Sequence, residues 1–347
     1  MDDANRDRSA PTDDRGSFPE GLEMANATPS AQPRSFPPAV ATLFVGPNGI
    51  RAGWRLLLFL IIAFLCGFAL RRLLPLLGLR AGGEFRPPVV LVGEGLSFAV
   101  VLFAAAVMGR IEKRSLADYA LPRKGAFGAG FWQGVVWGFV SLTALLLMIL
   151  AGHGFSFGRV ALGGTELITY AALWAVVFLL VGLFEEFLMR GYALYTLSSG
   201  MGFWPSAFLL SAIFGGVHLR NPGEAWAGGL SAALIGVFFC LTVRRTGSLW
   251  FAIGFHAMWD YSESFLYSVP DSGVMVPGHL LNSSFHGPKW LTGGSVGPEG
   301  STLVFGVIAV LFIVFDRVHR DVRFPLVPKP HADTSEASKL SPPGVNV

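Results

Sequence analysis

Between residues 46 and 323 the chain alternates long apolar runs with short polar connections. Windows of about 17–25 apolar residues, the length a helix needs to cross a bilayer, fall near 54–70, 88–108, 131–151, 166–190, 203–219, 225–243, 248–268 and 301–316. They predict an all-α, polytopic transmembrane helix bundle of about eight spans, with seven as the alternative count. Residues 1–45 are rich in Asp, Arg, Pro, Ser and Ala without apolar periodicity, and 324–347 are Pro-rich and polar. Such compositions bury too little apolar surface to offset the entropy of ordering, so both ends are expected to be disordered tails around a helical domain at 46–323. The N-terminus lacks the basic segment and adjoining apolar stretch of a cleavable signal, so the first span is expected to stay as an anchor.

Composition agrees with that pattern. Of 347 residues, 52% are hydrophobic and 14% charged, against about 25% charged in ordinary soluble domains, and mean hydropathy is +0.54. The formal net charge is only +3, and its cations sit in short connections where they set orientation, so no nucleic-acid partner is implied. Arg110, Lys113, Arg114, Arg123 and Lys124 follow the second span, Arg244 and Arg245 the sixth, and Arg317, Arg320 and Arg323 the eighth. With eight spans these share one side, which the positive-inside rule makes cytoplasmic. Both tails are then cytoplasmic, and the inner (plasma) membrane is the expected location. Cys66 and Cys240 lie in apolar runs and read as core residues rather than a disulfide. Gly130, Gly134 and Gly138 are expected to let a neighbouring helix approach. The Gly-rich connection from Pro270 to Gly300 is expected to cap the outer face, with His279 and His286 as solvated loop residues.

Ionisable groups interrupt this apolar frame. Glu185, Glu186 and Arg190 close the fourth window, His218 ends the fifth, and His256 with Asp260 lies in the seventh. A charge at bilayer depth costs roughly 2.5 kcal/mol or more, so such groups face a bundle interior, pair and carry function. Glu186 and Arg190 are four apart and share a helix face, which leaves Glu185 pointing elsewhere and free to act as a base. Phe214 lies one turn before His218, and Asp260 one turn after His256, where it can orient the imidazole or fix its tautomer. Two carboxylates and two imidazoles on three helices can activate water and stabilise an oxyanion. They could equally hold zinc through Glu185, His218 and His256, although a His-Glu-x-x-His helix is absent. A tightly bound metal is not favoured. Glu94 reads as structural, Glu263 as water-facing, and Ser211 and Ser231 as packing hydroxyls.

The set Glu185-Glu186-x-x-x-Arg190-Gly191, Phe214-x-x-x-His218 and His256-x-x-x-Asp260 resembles the motifs of the CAAX prenyl-endopeptidase and bacteriocin-processing (CPBP, or Abi) family, over about residues 166–265. The resemblance implies an intramembrane protease in which Glu185 activates water, His218 positions it, His256 and Asp260 form the oxyanion site, and Arg190 braces the acidic pair. Many eukaryotic relatives carry Asn where this chain has Asp260. It further implies a membrane-associated protein or peptide as substrate. For the groups to reach one depth, the fourth helix should run past Arg190 to about Ser198, beside a cavity open to the cytoplasmic side. The rival readings are a noncatalytic family member serving as a bacteriocin immunity factor or membrane chaperone, and a proton-relaying transporter.

Overall fold

A computed structural model describes residues 43–46, 49–73 and 86–324. Apart from Leu43–Val45 and Phe324, the two expected tails lie outside the described residues. The first helix, α1 (Ala52–Leu73), ends on Arg71 and Arg72, cations that complement the negative end of the helix dipole. Pro87 and Pro88 open α2 (Pro87–Glu112), where a missing N–H costs nothing. Next come α3 (Ala129–Ala151) and α4 (Gly164–Glu186). The chain continues from α4 through a π-helical turn at Phe187–Ala193 into α5 (Leu194–Met201), so one helical path runs from Gly164 to Met201. Then follow α6 (Phe203–His218), α7 (Trp226–Thr246), α8 (Trp250–Tyr261) with a π turn at Ser262–Leu266, and α9 (Val304–Val318).

Helices therefore stand at all eight expected windows, and five of the paths are long and apolar enough to cross a membrane. Paths α6, α8 and α9 are shorter. The outer surface is apolar, as lipid contact requires: Phe64 and Ile168 are each 70% exposed, and Trp132 is 60% exposed. The strand content is small. Val45–Gly46 pairs antiparallel with Gly49–Ile50, and Phe155–Ser156 with Ser284–Phe285.

Helix α8 is the centre of the bundle and packs on both α3 and α4. Glycine makes that approach possible, because a Cβ on Gly134 would stand 2.0 Å from the Phe251 carbonyl oxygen and one on Gly138 2.4 Å from that of Phe255. Gly254 repays the contact from α8, where a Cβ would meet the Phe131 carbonyl oxygen at 2.2 Å. Gly130 does not belong to this seam: a Cβ there meets nothing within 4 Å. It lies at the start of α3, before the helices converge. Cys66 and Cys240 are both free thiols.

The cationic connections after α2, α7 and α9 gather at one end, while Arg71, Arg72 and Arg86 stand at the other. The Arg245 guanidinium pairs with Asp316 and donates to the Arg320 carbonyl at 2.6 Å, while the Arg323 amide donates to the Arg244 carbonyl at 2.8 Å. The connection after α2 joins them, since Leu249 N–H donates to Ala120 O at 2.8 Å and Trp250 Nε1 to Pro122 O at 2.9 Å. Glu112 ties the start of α1 to the same end, 3.2 Å from Arg55 and 2.6 Å from the donating Tyr192 hydroxyl.

Candidate active site

Glu186 is fully buried, and its Oε1 accepts from Arg190 at 3.0 Å and from His256 Nδ1 at 2.9 Å. The first contact follows from the four-residue spacing on one helical path. The second bridges 70 positions of sequence and is set by the close packing of α8 on α4. Arg190 is itself fully buried, with its guanidinium over the Phe214 ring at 4.3 Å and the Phe239 ring at 5.7 Å. Gly236 makes room for it, because a Cβ there would lie 2.6 Å from an Arg190 Nη. The π turn accompanies this arrangement: Gly191 departs from helical geometry at φ −87°, ψ −108°, and the path bends beside the ion pair. Such turns concentrate at functional sites. Arg190 braces Glu186 rather than both carboxylates, and among the described residues Arg190 forms no ion pair with Glu185.

Glu185 is 30% exposed at its side chain and 3.8 Å from His256 Nε2, with Asp260 at 3.5 Å from the same nitrogen. A carboxylate only accepts, so the His256 Nδ1 carries the proton that Glu186 receives. The tautomer is thus set by Glu186, not by Asp260, which faces the opposite nitrogen. His218 is fixed in a parallel way: its Nδ1 donates to the Phe214 carbonyl at 2.8 Å, and its ring tilts over the Phe214 ring at 4.4 Å. With Nδ1 donating, each ring turns Nε2 toward the cavity, as an acceptor when the ring is neutral and as a donor when it is protonated.

These groups surround a cavity of about 350 Å³ that Glu94, Glu185, His218, His256 and Asp260 all line. Glu94 of α2, read from sequence as structural, belongs to this wall. Also in it are Asn221, Ser264, Asp271, Ser272 and Glu299, none of which the sequence singled out. Asp271 and Glu299 come from the Gly-rich connection, so their place has no helical periodicity to announce it. That connection roofs the cavity, held by the Ser231 hydroxyl, which donates to the Glu299 carbonyl at 2.9 Å. Ser231 docks a loop as well as packing a helix. Burial, with Asp260 and Glu299 nearby, holds the Asp271 carboxyl well above its ordinary range. Glu263 does not face water: it is fully buried beside Asp271 and Glu299. His286 bonds to the Ser156 and Ser284 hydroxyls and His279 to the Val276 carbonyl, both away from the cavity.

The cavity lies in the half of the bundle away from the cationic connections. Besides α4, α8 and α9, its lining includes the first turns of α2, the end of α6 with Asn221, the first half of α7 and the Pro270–Gly300 connection. A cavity on the same side as the cationic loops is therefore corrected. The group of acidic and imidazole side chains with ligand atoms within 4.8 Å of one another is Glu263, Asp271 and Glu299, whereas Glu185, His218 and His256 do not converge in that way among the described residues.

Comparison with known proteins locates the same segment. Residues 166–262 match the family model described as type II CAAX prenyl endopeptidase Rce1-like. No curated protein and no solved structure matches the chain. The matched segment, residues 166–262, is the one that supplies Glu185, Glu186, Arg190, His218, His256 and Asp260, and over it this membrane chain is similar to the Rce1-like family.

Proposed function

We propose that the protein is an intramembrane endopeptidase that hydrolyses a peptide bond of a membrane-associated protein or peptide, with water activated by Glu185. One observation carries this reading: the two adjacent carboxylates have different fates. Glu186 is locked between Arg190 and His256, while Glu185 reaches the cavity with no cation of its own except the imidazole at 3.8 Å. Glu185 takes a proton from water as the oxygen attacks the scissile carbonyl carbon, and the carbonyl oxygen becomes the oxyanion. The proton then passes to the departing nitrogen as the C–N bond breaks, so Glu185 serves first as base and then as acid.

His218, with Nε2 as an acceptor, holds the water. His256 stabilises the oxyanion in its imidazolium form, donating to Glu186 from Nδ1 and into the cavity from Nε2. Asp260, 3.5 Å from that nitrogen, supports the charged ring rather than donating to the oxyanion. No step is assigned to zinc. In orientation, the cationic end and both tails face the cytoplasm of the inner membrane, and the cavity half faces away.

The test is cleavage of membrane-tethered reporter peptides in liposomes by the parent and by Glu185→Gln. A positioned base contributes about 10²–10⁴-fold, so the variant should lose activity on that scale while its helical spectrum and elution stay unchanged. Equal cleavage by both proteins would remove Glu185 as the base. Loss on chelation with restoration by zinc would overturn the metal-free assignment.

A further inference from the structure

Outside the catalytic constellation, one buried group lacks what its chemistry demands. Glu263 has no exposed surface, and neither of its carboxylate oxygens makes a hydrogen bond of normal geometry among the described residues, although the Trp259 side chain stands near enough to act on it. One oxygen each from Glu263, Asp271 and Glu299 lies within 4.8 Å of the others. No Lys, Arg or His among the described residues pairs with any of the three. Three carboxylates this close repel one another strongly when water is excluded.

The other two are aimed and held. The Ser264 hydroxyl donates to Asp271 Oδ2 at 2.9 Å, and the Ser272 amide and hydroxyl donate to Glu299 Oε1 at 2.7 and 2.8 Å. Each retains a second carboxylate oxygen. The backbone is also shaped around Glu263: at Gly297, with φ +124°, a Cβ would stand 2.8 Å from Glu263 Oε1 and 2.0 Å from the Pro270 carbonyl oxygen. Only glycine lets the loop pass this carboxylate so closely.

We propose that Glu263, Asp271 and Glu299 form a binding site for a hard divalent cation, calcium by preference, that fastens the Pro270–Gly300 connection to the end of α8. An all-oxygen set with flexible loop members suits calcium better than zinc, which takes nitrogen and sulfur ligands, or magnesium, which demands a rigid octahedron. The cation supplies the positive charge that Glu263 lacks. Because Asp271, Ser272 and Glu299 also line the catalytic cavity, the bound ion sets the roof under which a substrate enters. The site is separate from Glu185 and does not depend on the peptidase reading.

The full-length protein in detergent, stripped with chelator, is titrated with calcium by calorimetry, and its thermal unfolding is followed with calcium or chelator present. The expected result is one calcium per chain and a higher unfolding temperature in calcium. Removing a charged ligand should weaken binding roughly tenfold or more in Glu263→Gln. Glu299→Gln, at a less buried position, gives a second reading should Glu263→Gln fail to fold. Glu185→Gln should bind calcium like the parent, which separates this site from the catalytic one. No calcium uptake by the parent at millimolar concentration, or unchanged uptake by both Glu263→Gln and Glu299→Gln, would overturn the proposal. In the first case the three carboxylates share protons instead.

Discussion

Glu186 accepts two charge-assisted bonds on one oxygen, and its other oxygen is buried without a partner. Removing Arg190 would leave that carboxylate uncompensated in a dry interior, where breaking a buried pair costs about 3–5 kcal/mol. Arg190→Ala should therefore unfold at markedly lower denaturant in detergent, whereas Glu186→Leu combined with Arg190→Met should cost far less than the sum of the single changes. A loss below about 1 kcal/mol for Arg190→Ala would mean the pair is solvated in the working protein. Part of this unit was legible before any coordinates. The Glu186–Arg190 pair follows from one turn of helix, and Phe214-x-x-x-His218 places a ring against an imidazole for the same reason. The Glu186–His256 bond was not legible, because helical periodicity says nothing about which face of α8 meets α4. Without that contact, four-residue spacing makes Asp260 the natural partner for His256, whereas in the structure Nδ1 faces Glu186.

At the level of elements, eight apolar windows became eight helical paths because each window's length and caps are local properties. What the windows could not carry is how closely two paths approach. The α3–α8 seam places His256 directly after Phe255, whose carbonyl oxygen lies 2.4 Å from where a Gly138 Cβ would be. Gly138→Ala must push α8 away from α3, at a cost of about 1–3 kcal/mol for overpacking, and should lower kcat more than KM because His256 moves with its helix. Gly130→Ala is the matched control. Nothing lies near its Cβ, so stability should stay within about 0.5 kcal/mol of the parent, measured by thermal unfolding in the same detergent. An equal penalty at both glycines would show that the seam is not where the structure puts it. The regular four-residue spacing of the three glycines concealed this difference, since spacing records a shared face but not where along it the neighbour arrives.

Across the whole molecule, two inferences about sidedness that looked compatible in sequence come apart. The cationic connections do share an end: Arg244 and Arg245, the Arg317–Arg323 segment and the Ala120–Pro122 turn are joined there by hydrogen bonds. The cavity, however, is built at the other end, under the Pro270–Gly300 connection. If cation bias fixes orientation, the substrate enters from the non-cytoplasmic half, and the roof that carries Asp271 and Glu299 meets that compartment's ions. Single cysteines decide the matter in right-side-out membrane vesicles treated with a membrane-impermeant maleimide, with Cys66 replaced and the buried Cys240 retained. Lys289→Cys, on an exposed turn of the long connection, should label in intact vesicles. Lys124→Cys, exposed at the cationic end, should label only after the membrane is opened. The reverse pattern would place the cavity on the cytoplasmic side, and the chain would then have inserted against a cluster of arginines and lysines held together at its opposite end. Labelling of both from outside would break the alternation of the helical paths, and with it the bundle order that brings α4, α6 and α8 around one cavity.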